Sequence, residues 1–285
     1  MYKVKNFVIY LNNDIGILQT QRGITTVNNN KMLNFLINVD NSDELYITEA
    51  KIKQTFKEAT TQAIKFLLEN KIIQKKPKYN FNIKKIILYT NDKIIKNFFE
   101  DYVKYSDINS VKTINDINKI NINDETLLIT FFNPLDWKAI EKVYKQVNKN
   151  NSIWLLGYPY NNNFYFNNVY KRSWHVPCYK CIRAEMESRE RINMFDETSY
   201  QQIVDQLYNN YPDFLIETKI KYSEAIKIVN LMQYIIDQFI LLDEPSKFLQ
   251  SNNGINILQT FQIDTINNRI VHETAEHWEL CDCYE

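Results

Sequence analysis

All four cysteines of the chain stand in two close pairs, Cys178 and Cys181 in "HVPCYKC" and Cys281 and Cys283 in "HWELCDCYE". Residues 182–280 contain no other cysteine. Tetrahedral zinc binds four thiolates at about 2.3 Å, and two close pairs from distant segments can supply them. The spacing therefore predicts one metal centre that ties the C-terminal end to the middle of the chain.

Disulfides, a redox-active CxxC and unpaired core cysteines are the alternatives to a metal. Disulfides are disfavoured because "MYKVKNFVIYLNND" has only a short apolar run, unlike a signal peptide. A chain of 285 residues can also build a core without covalent crosslinks. Four thiolates would close the coordination shell, which favours a structural zinc over a catalytic one. His175 and His277 flank the pairs and could replace a ligand, but they fit better as outer-shell or surface residues.

The charge and hydropathy of the chain argue against nucleic-acid and membrane partners. Lys+Arg and Asp+Glu both number 34, so the formal charge is zero and long-range attraction to phosphates is weak. The apolar run 231–242 is interrupted by Asp237 and is shorter than the about 20 residues that span a bilayer. It predicts a buried helix. We expect a cytoplasmic protein.

The first 78 residues predict a small domain of strands followed by helices. Residues 6–29 alternate like strands, with Gly16 and Gly23 at turns. Helical spacing of apolar residues follows in three segments, 30–39, 47–56 and 60–71. This order is typical of a winged helix-turn-helix. The lysine-rich stretch 75–85 around Pro77 predicts a solvated linker.

Residues 79–285 predict an α/β domain of the Rossmann type, because strand and helix patterns alternate. The strands are expected at 84–90, 126–132 and 152–158, with helices at 92–104 and 136–149 between them. Later helices are expected at 182–192, 199–210 and 222–242, followed by strands at 255–263 and 268–274.

The glycine-rich turn of nucleotide-binding Rossmann folds is absent from the sequence. The turn after the first strand reads "TNDK", residues 90–93, and the four glycines of the chain form neither GxGxxG nor a P-loop. The sequence also lacks GxSxG and HExxH, and a metal would leave no spare thiol nucleophile. We therefore expect no bound nucleotide and no catalytic residue.

Two blocks of the chain resemble the microcin B synthetase zinc protein (McbB) family. One is "VPCYKCIRAEMESRE", 176–190, and the other is "HWELCDCYE", 277–285. The resemblance implies a degenerate ThiF-like domain that has lost adenylation, preceded by a winged-helix RiPP recognition element. It also implies that Cys178, Cys181, Cys281 and Cys283 hold a structural zinc.

The same resemblance implies a non-catalytic role in azole formation on ribosomally made peptides. The chain would bind the leader of a precursor peptide and present the core to a YcaO cyclodehydratase. A flavin-dependent azoline dehydrogenase and a second copy of the chain are further expected partners. An active ThiF-type adenylating enzyme and a winged-helix DNA-binding regulator are the alternatives.

The leader-binding residues are also inferred from the resemblance, which places the peptide along the third strand and against the third helix. Backbone pairing would come from Ile24, Thr25, Thr26 and Val27. The opposite wall would be the third helix, where Gln62, Lys65, Phe66 and Glu69 are the candidate contacts. Ala63, Ile64, Leu67 and Leu68 share the helix face expected to pack in the core of the domain.

Overall fold

The structure is a computed structural model that describes residues 1–12, 15–20, 22–42, 44, 46–75, 78–104, 111–191, 198–211, 213–239, 241–242 and 257–284. The chain divides into two compact units, Met1–Pro77 and Lys78–Glu285. No helix within these described ranges is long and apolar enough to cross a membrane.

The strands described in the first unit form two antiparallel sheets of three strands each. They are β1 (Tyr2–Val4), β2 (Val8–Asn12), β3 (Ile15–Thr20), β4 (Gly23–Val27), β5 (Tyr46–Ile47) and β6 (Ile73–Lys75). One sheet has the order β2-β3-β4 and the other β5-β1-β6. The first sheet agrees with the strand pattern of residues 6–29, except that Gly16, predicted at a turn, lies inside β3 and pairs with Leu11 and Val27. The second was not predicted, because strands of two or three residues are too short to show an alternating pattern.

The three predicted helices of the first unit are confirmed. They are α1 (Asn30–Asp40), α2 (Glu49–Phe56) and α3 (Thr60–Glu69). The side chains of Asn29 and Thr48 accept hydrogen bonds from the first turns of α1 and α2, which fixes where these helices begin. Phe35 and Phe56 meet edge to face, with ring centroids 5.2 Å apart, inside the core of this unit.

The strands described in the second unit are β7 (Lys78–Tyr79), β8 (Lys85–Thr90), β9 (Val111–Ile114), β10 (Thr126–Phe131), β11 (Ile153–Tyr160), β12 (Asn163–Phe166), β13 (Leu241–Leu242), β14 (Gln259–Asp264) and β15 (Arg269–Thr274). A sheet of seven of these has the order β15-β14-β12-β11-β10-β8-β9. The predicted strands β8, β10 and β11 are parallel, as expected. Strand β9, which was not predicted, also runs parallel to β8, and β12, β14 and β15 continue the sheet antiparallel.

The helices of this unit cover both faces of the sheet. They are α4 (Lys93–Lys104), α5 (Trp137–Asn150), α6 (Tyr179–Arg191), α7 (Tyr200–Asn210) and α8 (Tyr222–Phe239). Alternate residues of β10 point to opposite faces: Ile129 packs in the core with α4 and α8, and Leu128 packs in the core with α5 and α6. The fold is therefore a three-layer α/β/α sandwich whose winding direction reverses between β8 and β10.

Three sequence predictions in this unit were wrong in detail. The stretch 75–85 is not a plain linker: Lys78–Tyr79 forms β7, and Phe81 packs on Trp174 with ring centroids 4.8 Å apart. The last helix ends at Phe239, and Leu241–Leu242 pairs with β7 as a strand. Helix α6 begins at Tyr179, three residues earlier than predicted, so Cys181 lies in its first turn.

Candidate metal centre and peptide-binding edge

The four cysteines meet in one cluster, with every Sγ within 4.8 Å of every other. The Sγ atom of Cys178 lies 4.0 Å from that of Cys181 and 3.6 Å from that of Cys281, and the Sγ atoms of Cys181 and Cys283 are 3.4 Å apart. A disulfide needs about 2.05 Å, so none of these contacts is one. Four sulfurs at about 2.3 Å from a tetrahedral ion lie about 3.8 Å apart. The cluster therefore fits a single tetrahedral ion with four thiolates.

Local backbone structure positions both pairs. The carbonyl of Cys178 accepts hydrogen bonds from the N–H groups of Cys181 and Ile182, at 3.1 and 3.3 Å, as the first turn of α6. The amide of Cys281 donates to the carbonyl of Trp278 at 2.9 Å, and a single 3-10 turn holds Asp282–Tyr284. Each pair thus lies in a tight turn, which directs two sulfurs to the same point.

Burial favours a cation at this point. Cys178 and Cys181 are fully buried, whereas Cys281 and Cys283 are half-buried. The adjacent sulfur of Cys181, together with burial, raises the pKa of the Cys178 thiol well above its ordinary value. Burial raises the pKa of Cys283 to about 11. These thiolates need a compensating positive charge, which a divalent ion supplies as it displaces the protons.

His277 connects the two cysteine segments at the edge of the cluster. Its Nδ1 lies 3.4 Å from the Sγ of Cys283, and its Nε2 lies 3.1 Å from the backbone oxygen of His175. The imidazole therefore contacts a cysteine sulfur and also the segment that precedes the CxxC. This placement matches the outer-shell role expected from the sequence.

At the start of α4, the chain itself occupies the place where a Rossmann fold binds an anion. The Oδ1 of Asp92 accepts hydrogen bonds from the N–H groups of Ile94 and Ile95, at 2.9 and 3.0 Å. In nucleotide-binding folds, such N–H groups receive a phosphate. In this chain they already bind a carboxylate, and its charge would repel a phosphate.

The crevice between β8 and β10 is likewise filled by the chain itself. The Nδ2 of Asn133 donates to the carbonyl of Thr218 at 2.8 Å, and its Oδ1 accepts from the N–H of Thr218 at 3.0 Å. Nδ2 also donates to Asp92 Oδ2 at 3.0 Å, and the amide of Leu135 donates to the carbonyl of Ile216 at 2.8 Å. The residues 216–218, which we call the plug, thus lie at the topological switch point.

Sequence reasoning found the polar turn "TNDK" but missed the plug. The Asp in that turn is a recognisable N-cap signal. Asn133 and Thr218 are 85 residues apart, and no local pattern in the sequence links them.

Among the described residues, β4 pairs with β3 and with no other strand, so it forms an edge of its sheet. The last residue pair of the β3–β4 hairpin is Thr20 and Gly23, which are separated by two residues in the sequence. Because bonded and non-bonded pairs alternate in antiparallel sheets, Gly23, Thr25 and Val27 bond to β3. The backbone groups of Ile24 and Thr26 then point to the open edge.

The side chains of the four predicted strand residues divide in the same way. Ile24 is 74% exposed and Thr26 is exposed, whereas Val27 is buried in the core at 4% and Thr25 is half-buried. The open edge is therefore formed chiefly by Ile24 and Thr26.

Helix α3 places its candidate contacts mainly toward solvent. Gln62, Lys65 and Glu69 are exposed, and Lys65 Nζ lies 3.9 Å from Glu69 Oε1. Phe66 is half-buried against the core of the unit. Ala63 and Leu67 are buried, and Ile64 and Leu68 are half-buried, so the predicted core face is confirmed. Arg22 donates to the carbonyl of Glu69 at 2.6 Å, which joins the beginning of β4 to the end of α3.

A sequence model for the family described as "Microcin B17-processing protein McbB" matches residues 2–285. The chain belongs to the McbB family. No curated protein sequence matches this McbB-family chain.

Solved structures show the same fold over the whole chain. The E. coli microcin synthetase McbBCD complex with pro-MccB17 bound contains a chain with a TM-score of 0.74 and 18% identity, covering 100% of this chain and 99% of that one. A second structure, of the E. coli microcin synthetase McbBCD complex, contains a chain with a TM-score of 0.55 and 18% identity, covering 99% of this chain and 100% of that one. The heterocyclase TruD gives 0.51 at 10% identity, covering 99% of this chain but 42% of TruD.

Proposed function

We propose that this chain is a non-catalytic subunit of an azole-forming peptide synthetase, which binds a precursor peptide and presents it to a cyclodehydratase. The observation that carries the proposal is the family match over residues 2–285. The likeness of the whole chain to a subunit of a synthetase solved with its peptide supports it. In this reading the substrate is a ribosomally made peptide whose Cys, Ser or Thr residues become azolines.

The leader of the precursor would bind as a fourth strand on β4. Open N–H and C=O groups at a sheet edge bind an extended peptide by strand addition. The outward backbone groups of Ile24 and Thr26 give the first unit such an edge, and the first unit would act as a winged-helix recognition element. Phe66 would contact an apolar leader side chain, while Gln62, Lys65 and Glu69 would contact polar ones.

The partner cyclodehydratase, and not this chain, would catalyse the formation of azolines. The carboxylate of Asp92 and the plug occupy the positions of a nucleotide in the second unit, so ATP would bind to the cyclodehydratase. The fold of this chain corresponds to 42% of the longer heterocyclase TruD. A separate chain would supply the remainder here. A flavin-dependent azoline dehydrogenase and a second copy of this chain complete the proposed assembly.

The metal would be a structural zinc held by Cys178, Cys181, Cys281 and Cys283. A donor set of four thiolates suits zinc, and the closed shell leaves no position for a substrate. When bound, the ion would neutralise the thiolates and fasten the last residues of the chain to α6.

Neither alternative function has a comparable observation behind it. An adenylating enzyme needs the space that the plug fills. A DNA-binding helix needs cations free for phosphates, and on α3 the charge of Lys65 is offset by Glu69.

Reconstitution tests the proposal directly. The chain is combined with the YcaO protein and the precursor peptide encoded beside it, and the loss of water from the peptide is followed by mass spectrometry. We expect ATP-dependent dehydration only when both proteins are present, and a lower rate with a leaderless precursor. Full activity of the cyclodehydratase without this chain would disprove the proposal, as would pyrophosphate exchange by this chain alone.

A further inference from the structure

The charges of the chain are divided unevenly between its two units. Residues 1–77 contain 11 Lys and Arg residues against 7 Asp and Glu, whereas residues 78–285 contain 23 against 27. The first unit is therefore basic at neutral pH, although the whole chain has no net charge. A basic unit with an open sheet edge favours a ligand that carries negative charge.

Arg22 places one of these positive charges at the end of the open edge. It lies two residues before Ile24, in the loop that joins β3 to β4. Its backbone N–H donates to the Oγ1 of Thr20 at 3.2 Å, and the same hydroxyl donates to the carbonyl of Gly23 at 3.4 Å. These bonds hold the backbone of the loop, so the Arg22 side chain starts from a defined position.

The guanidinium of Arg22 is also held in place. Its Nη1 donates to the carbonyl oxygen of Glu69, at the end of α3, at 2.6 Å. This bond uses one of the five N–H donors of a guanidinium, and the residue is exposed to solvent. The group therefore lies between the strand and the helix proposed to bind the leader, with donors left for a ligand.

No carboxylate of the described residues neutralises the charge of Arg22. The ion pairs described in the first unit join Lys51 to Glu44 and Lys65 to Glu69. The carboxylate of Glu69 thus faces Lys65, and only its backbone carbonyl is bonded to Arg22. A ligand carboxylate beside Arg22 would form a charge-assisted pair, and the planar guanidinium can bind it through two parallel N–H groups.

We infer that the leader is acidic where it passes the beginning of β4, and that Arg22 pairs with one of its Asp or Glu side chains. The inference rests on the proposed function, which lays the leader along this edge, and it adds the residue type that the edge selects. Backbone pairing alone carries little sequence information. A fixed cation at one end of the edge would therefore set both the register and the identity of the peptide.

A DNA duplex fits the same charge less well. Phosphate contacts along a duplex need several free cations, and the charges of Lys51 and Lys65 are each paired with a carboxylate. The open backbone groups beside Arg22 suit an extended peptide, because they can bond to its N–H and C=O groups.

Three variants of the full-length chain test the role of Arg22. Arg22→Gln should weaken leader binding about three- to tenfold at low ionic strength. The difference should shrink in about 1 M salt, where the Debye length is about 3 Å. Arg22→Lys keeps the charge and should recover part of the affinity. Lys53→Gln removes an equal charge from an exposed site on α2 and is the matched control. A purely structural role of Arg22 would weaken binding equally at both ionic strengths.

The probe is the labelled leader of the precursor encoded beside the chain, titrated by fluorescence polarisation. Further versions carry each Asp or Glu changed in turn to Asn or Gln. One such change should lower the affinity for wild type but have no further effect on Arg22→Gln, as expected for a coupled pair.

Several results would overturn the inference while leader binding itself stands. They are a leader without Asp or Glu, additive effects at every position, and equal affinities of Arg22→Gln and Lys53→Gln. Competition by a random DNA duplex that is lost in Arg22→Gln would assign the charge to nucleic acid and also contradict it. If no version of the leader binds wild type, the proposed function fails, and this inference fails with it.

Discussion

The edge of β4 and the beginning of α4 both have backbone groups that could bind a ligand. These groups are open at β4 but already hydrogen-bonded at α4. At β4 the groups of Ile24 and Thr26 point away from the sheet. At α4 the N–H groups of Ile94 and Ile95 are bonded to Asp92, and the adjoining crevice contains the plug. The first unit thus leaves backbone groups open at a sheet edge, whereas in the second unit a side chain and a segment of the chain itself occupy the corresponding groups and crevice.

The proposed zinc at the four-cysteine cluster would make the second unit depend on something outside the chain. Replacing Cys281 by Ser should reduce bound zinc well below one ion per chain and destabilise the second unit by several kcal/mol, because structural zinc can contribute on the order of 10 kcal/mol. Elemental analysis and hydrogen exchange would show both effects. Asp282→Asn, an exposed change between the two cysteines, is the control, and the exchange of the first unit should stay unchanged. A full zinc complement in Cys281→Ser would contradict the ligand assignment.

Removing a backbone N–H from the open edge of β4 should produce the next largest effect. Thr26→Pro removes an N–H of the open edge that would face the leader in the proposed complex. It should weaken leader binding by about tenfold or more, because an added strand would lose a bond and the edge would be stiffened. Thr26→Ala keeps the N–H and should bind nearly as well as wild type. Fluorescence polarisation with labelled leader compares the two. Equal affinity of Thr26→Pro and Thr26→Ala would show that the peptide does not pair with β4.

Removing the Asn133 side chain, which holds the plug in the crevice, should lower the free energy of unfolding without allowing a nucleotide to bind. Asn133→Ala leaves the N–H and C=O of Thr218 without their partner, which should lower the free energy of unfolding by about 1–3 kcal/mol. Asn118→Ala, at an exposed asparagine, should change it little. Chemical denaturation measures the difference. Neither variant should show a thermal shift with ATP, because Asp92 still occupies the N–H groups of α4. An ATP-dependent shift in Asn133→Ala alone would mean that only the plug excludes the nucleotide, and a shift in Asn118→Ala as well would mean that nothing excludes it.

The smallest effect is expected at Asp264. Its carboxylate accepts a backbone hydrogen bond in an exposed turn, as the carboxylate of Asp92 does at the start of α4. The carboxylate of Asp264 accepts from the backbone N–H of Asn267 at 3.0 Å and from Arg269 at 3.1 Å. These contacts, the Asn267 backbone first, lower its pKa to about 2. A folded pKa below the usual value stabilises the fold above about pH 4. That stability is lost as pH falls from about 4 toward 2. Melting curves of wild type and Asp264→Asn should therefore converge in this range, and a constant gap would rule out the carboxylate as the cause.

Local sequence determined the elements with strong repeating patterns. Helices α1 to α5 and the parallel strands β8, β10 and β11 each carry enough periodic apolar residues, or a cap such as Thr48, to be recognised alone. The short strands β1, β5 and β6 pair with one another across the first unit, so their strand character depends on distant partners.

The cysteine spacing determined that Cys178, Cys181, Cys281 and Cys283 could meet, because thiolate pairs have few other uses in such a chain. Only the tertiary structure decided that their sulfurs lie 3.4–4.0 Å from their neighbours and that His277 contacts both segments. It also decided that Asn133 holds Thr218 from 85 residues away. Contacts between residues so far apart in sequence depend on how the layers pack, and no local pattern of residues encodes that packing.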